Sequence, residues 1–140
     1  MNIDDIVKKE GDFHRWIENC DGVEIECVIR RNGVGALCGY VLINEDNKFF
    51  GLDYDEISYR IDFTPHGGLA FSDEFEGGWL VGFDCAHAGD FCPNLPQNYG
   101  GGTYRDLNFV KSECKNLAIS VSKHSKLAKR LKNIDSILGQ

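Results

Sequence analysis

The chain lacks any apolar run close to the roughly 20 residues that span a bilayer as a helix, so it is not organised around a membrane span. It also lacks a basic, apolar leader. Met1-Asn2-Ile3-Asp4-Asp5 is acidic where a secretory signal is basic, and no apolar core region follows. The expected location is therefore the cytoplasm. No P-loop, GxSxG elbow or dinucleotide fingerprint occurs, and no CxxC pair or HExxH motif. That removes the usual signatures of nucleotide binding, serine hydrolysis and zinc proteolysis. There is no internal repeat and no low-complexity linker. Basic residues are scarce in the middle: residues 42–90 hold eleven Asp/Glu against Lys48 and Arg60. Such a body repels backbone phosphates, which argues against direct nucleic-acid binding. It suits a basic protein partner, although keeping a small protein soluble is the plainer use of net charge. The positive surplus is C-terminal, with five Lys/Arg against Asp135 in residues 121–140.

What is present is enough for one ordinary domain. Of 140 residues, 42% are hydrophobic and 26% charged, so a core can form without staples. Six cysteines in a reducing compartment read as core thiols or metal ligands rather than disulfides.

The expected class is α+β, a single domain over residues 1–140. It divides into a helical segment 1–22, a sheet with site loops 23–102, and C-terminal helices 103–140. Residues 2–20 read as weakly helical, with Ile3, Ile6 and Val7 on one face and Phe13, Trp16, Ile17 and Cys20 on another. From Val23 the period changes to two: Val23, Ile25, Cys27 and Ile29 alternate with polar residues. Asn32-Gly33 signals a hairpin, and a second strand runs from about Ala36 to Ile43. Asp53 to Ser58 reads as one helical turn and Tyr59 to Phe63 as a strand. Leu69 to Ser72 is a further strand, and Asp73 to Gly78 an acidic turn. Trp79 to Cys85, with little polar interruption, reads as a central strand of a mostly antiparallel sheet. Residues 86–102 form a long loop, a type often functional in compact domains. Thr103 reads as a helix N-cap with Asp106 completing a partial capping box, and Ser120 and Ser122 as interruptions of that helix. A last helix is expected from about Lys123 to Leu138. His14 and His124 are expected on helices, solvated.

The chemistry concentrates in Pro65-His66-Gly67-Gly68-Leu69 and in residues 82–90, Gly-Phe-Asp-Cys-Ala-His-Ala-Gly-Asp. Cys85 and His87 are two apart, which puts both on one face of an extended segment. His66 ends another expected strand, beside two glycines that let backbone pass close to a ligand. The expected metal ligands are His66, Cys85, His87 and Asp90, with Asp84, Glu113 or water as alternatives for the fourth. Zinc is the ion that this mix of N, S and O donors suits. The plain alternative is a core thiol at Cys85 with both histidines hydrogen-bonded in loops. A metal-dependent hydrolase is the rival function, with Asp84, Asp90 or Glu113 activating a bound water.

Several stretches carry a resemblance: Gly39-Tyr40-Val41, residues 51–55, His66 to Leu69, Trp79 to Asp90, Tyr104-Arg105 and Val110 to Glu113. Across residues 35 to 120 the chain resembles a family of small phage and prophage proteins, the block at residues 82–90 being its most specific part. One similar group is the zinc-containing anti-CRISPR proteins. These inhibit the RNA-guided nuclease of type II-A systems by binding it and blocking target DNA loading. The resemblance implies His66, Cys85 and His87 as structural zinc ligands, a CRISPR effector nuclease as the basic partner, and a host-cell cytoplasmic location.

Overall fold

A computed structural model describes residues 2–96 and 101–139. The elements in order are α1 (Ile3–Glu10), β1 (Phe13–Cys20), β2 (Val23–Arg31), β3 (Leu37–Ile43), α2 (Tyr54–Arg60), β4 (Phe71–Phe75), β5 (Gly78–Asp84), α3 (Leu107–Ser122) and α4 (Lys126–Leu138). The strands form one antiparallel sheet in the order β1-β2-β3-β5-β4. This is the expected α+β domain, with β5 inside the sheet between β3 and β4.

Strand alternation decides what is buried. Val23, Ile25, Cys27 and Ile29 of β2, and Leu37, Val41 and Ile43 of β3, face α3 and are buried. Val110, Cys114, Leu117, Ala118 and Val121 of α3 cover them at helical spacing. Gly39 permits this closeness: a Cβ there would lie 2.6 Å from both the Cys114 sulfur and the Phe83 ring. Among the described residues no helix covers the other face of the sheet. It presents Phe13, Ile17 and Phe71, all exposed, around Tyr40 and Leu80.

Several expectations are corrected. The helix of residues 2–20 stops at Glu10, and Phe13–Cys20 is strand β1, paired along its whole length with β2. Its apolar residues lie on both faces because the outer face of the sheet is itself apolar, which hides the period of two. Asp21-Gly22 closes that hairpin, both residues at positive φ (52° and 89°), the geometry a two-residue primed turn requires. The β2–β3 connection is longer than Asn32-Gly33 alone: Asn32 Oδ1 accepts from the N–H groups of Val34 and Ala36. Tyr59 and Arg60 close α2 instead of opening a strand. Asp73 to Phe75 belong to β4, and the turn narrows to Glu76-Gly77. Asp106, not Thr103, caps α3, its carboxylate accepting from Phe109 N–H at 2.9 Å. Ser120 and Ser122 are buried within α3. Ser122 is accommodated by donating to the Ile119 carbonyl, and Ser120 by donating to Asp62. Ser125 caps α4, which therefore begins at Lys126. His14 lies on β1 near Glu10 O. His124 lies in the turn between α3 and α4, its ring 4.2 Å from that of Phe49. Burial lowers its pKa. Among the described residues no helix is long and apolar enough to cross a membrane.

Candidate functional site

The site is built where the end of β5, the 65–68 turn and the start of α3 meet. Gly67 and Gly68 both take positive φ, and Gly68 N–H closes the turn on Pro65 O at 2.8 Å. Glycine at 67 is required twice over. Its φ is +71°, and a Cβ would stand 2.3 Å from His87 Nε2. The turn is pinned to α3 by Glu113, which accepts from His66 N–H at 2.9 Å. One turn earlier on α3, the Phe109 ring packs edge-on to the His66 ring, centroids 5.4 Å apart.

After β5 the chain reverses quickly. Asp84 Oδ1 accepts from Ala86 N–H, and Asp90 N–H returns to His87 O. The long loop closes on itself beside this reversal: Phe91 N–H donates to Thr103 O, and Thr103 N–H to Gly89 O. Arg105 is thereby delivered to Asp90.

Asp90 is the hub. Its side chain is 0% exposed. It accepts from Arg105 Nε at 2.9 Å and from His87 N–H at 3.0 Å, and lies 2.8 Å from His66 Nε2. Burial opposes its charge, but these hydrogen bonds outweigh burial and hold it below the usual carboxylate range. Arg105 also lies over the Phe109 ring, 5.3 Å from its centroid.

His87 is the unfinished part. Its ring lies 6.0 Å from that of His66, centroid to centroid. Its Nε2 is buried and makes no hydrogen bond among the described residues. Asp84 Oδ1 stands 3.1 Å away, within ion-pair range but without the angle of a hydrogen bond.

Of the four expected ligands, His66, His87 and Asp90 are neighbours. Cys85 lies in the core cluster with Phe83 and Cys114. Burial, with Asp90 nearby, pushes its thiol pKa far up. The other five cysteines are free and buried. Among the described residues no three His, Cys, Asp or Glu side chains converge as a ready metal cage. Arg105 and Phe109 were missed as site residues. The signal that could have found Arg105 is the charge rule, since a buried aspartate needs a cation and Arg105 is the first basic residue after it; Phe109 follows only from its ring contacts with Arg105 and His66. No known protein family, curated protein or solved structure matches the chain.

Proposed function

We propose that this chain is a zinc-binding, phage-type accessory protein that acts by binding another protein. Its partner on this reading is the RNA-guided nuclease of a type II CRISPR system, which it inhibits by occupying the basic surface where target DNA loads. The observation that carries the metal is His87 Nε2, a buried nitrogen without a hydrogen-bond partner among the described residues, beside a carboxylate and across from a second imidazole. A divalent ion is a natural mate for such a nitrogen. His87 and Asp84 would hold it, and His66 would join by exchanging the Asp90 carboxylate for the ion. Bound there, the ion supplies a crosslink between the end of β5 and the 65–68 turn, a structural service.

Support for a basic partner comes from where the carboxylates stand. Tyr54 N–H donates to Ser72 Oγ, setting the N-terminus of α2 beside edge strand β4. Asp53, Asp55 and Glu56 thus join Asp73 and Glu74 along one exposed margin. The hydrolase reading has less support: Asp90 is engaged by three donors, Glu113 accepts from His66 N–H, and Asp84 is taken on this reading as a ligand of the ion.

Two measurements test the two halves separately. Protein purified without chelator should carry about one zinc per chain. His87→Ala should lose the metal. A ratio near zero in the wild type overturns the metal. In a cleavage assay with a type II nuclease, the wild type should suppress DNA loading in a salt-sensitive way. The Asp73→Lys/Glu74→Lys variant should suppress it less. Full cleavage at saturating wild-type protein overturns the partner.

A further inference from the structure

We propose that the groove between edge strand β1 and helix α3 binds an extended, carboxylate-bearing peptide, which adds to the sheet as a sixth strand. Strand β1 is an edge of the sheet. It is eight residues long, free of proline, and paired one-to-one with β2 without a bulge. Among the described residues its far side therefore offers unpaired backbone N–H and C=O groups, the template on which strand addition works. The opposite edge, β4, is shorter and carries Asp73 and Glu74, a charged edge of the kind that discourages pairing.

Beside β1 lies a groove of about 390 Å³. One wall is the inward-facing row of the strand, His14, Trp16 and Glu18. The other is an exposed stretch of α3, Lys111, Ser112 and Lys115. A strand seated about 4.8 Å from β1 would run along this groove and direct every second side chain toward the helix. The chemistry there selects negative charge. Lys111 and Lys115 are four apart on one helix face, and neither forms a salt bridge among the described residues. Glu18, on the strand wall, accepts from Trp16 Nε1 at 3.0 Å and keeps its negative charge, so the two lysines outnumber it and a carboxylate is favoured along the helix wall, opposite Lys111 and Lys115. Arg15 points to the other face of the sheet, where Glu26 and Glu76 hold it. The occupant that fits is thus an extended segment of another protein, with carboxylates at alternate positions opposite the lysines and β-branched or small residues between them.

The test uses full-length protein and blocked peptides of alternating Glu with Val, Thr or Ile, up to about 1 mM. Amide hydrogen exchange is followed along both sheet edges. Added peptide should slow exchange in β1 and leave β4 unchanged. Alternate N-methylation of the peptide should abolish the effect, because it removes the donors that a ladder needs. The Lys111→Glu/Lys115→Glu variant changes two exposed side chains and keeps the fold, checked by an unchanged melting midpoint. It should bind about tenfold more weakly. Three results overturn the proposal: no β1 protection with any of these peptides, equal protection by the lysine analogues, or concentration-dependent β1 protection in protein alone. The last would make a second copy the occupant.

Discussion

Asp90 shows how one buried charge organises a site. It sits within reach of an imidazole, a guanidinium and a backbone N–H, so removing it strands three groups. Asp90→Ala should cost about 3 kcal/mol, read as a fall in the urea midpoint. Asp90→Asn should cost less, because one oxygen still accepts while the new amide faces donors. If the alanine variant unfolds at the wild-type midpoint, water replaces the carboxylate and the hub is not structural. At this scale the sequence was partly legible. His66, His87 and Asp90 stood out because small residues crowd around them. Cys85 looked equivalent on the alternation of an extended segment. It is not, because that alternation continues the core-facing row of β5 and delivers the thiol into the core.

Among the elements, α1 is the least secured. It buries no residue, and it is held largely through one side chain at its end. Glu10 Oε1 accepts from Tyr104 O–H at 2.5 Å, and Oε2 accepts from Leu107 N–H at 2.7 Å. The carboxylate thus also serves the N-terminus of α3, where a negative charge is favourable. Arg31 stands 3.6 Å away and bonds Asp12 and Gly11 O besides. Glu10→Ala removes two charge-assisted hydrogen bonds and should cost about 2 kcal/mol. Amide exchange should quicken in α1 before the sheet is affected. Unchanged protection of α1 would place its anchor elsewhere. Contacts of this kind, 94 residues apart in sequence, leave no local trace, and the role of Glu10 was not readable from the chain. Strand β2 and helix α3 were readable because each has one plainly buried face, and β3 and β5 because their apolar runs are little interrupted. Strand β1 was not, since Phe13 and Ile17 face outward while Trp16 and Cys20 face inward. Apolar residues on both sides imitate a helical stripe, and the hairpin closed at Asp21-Gly22 is hidden behind it.

Across the whole molecule, charge is sorted between the two edges of the sheet: carboxylates gather along β4 and α2, lysines beside β1. That sorting, with the net charge of −7, makes the response to acid a contest. Protonation first relieves repulsion among surplus carboxylates, which favours the fold. It then breaks specific pairs. Asp62 is held down to about 2 by Lys123, helped by Ser120. Glu76 is lowered by Arg15, and Asp90 by its three donors against the effect of burial. A carboxylate with a depressed folded pKa contributes its full stability above its unfolded value, near 4, and loses it as pH falls through the folded value. Below that range fifteen Lys/Arg face few counter-charges, so repulsion returns with the opposite sign and reinforces the loss. Stability should therefore stay level or rise slightly from pH 7 to about 5 and fall steeply between about 4 and 2. Urea midpoints measured at each pH would show this. Asp62→Asn should flatten the lower part of the fall. A curve that declines steadily from neutral pH would mean that histidine contacts, not these three carboxylates, govern the acid response.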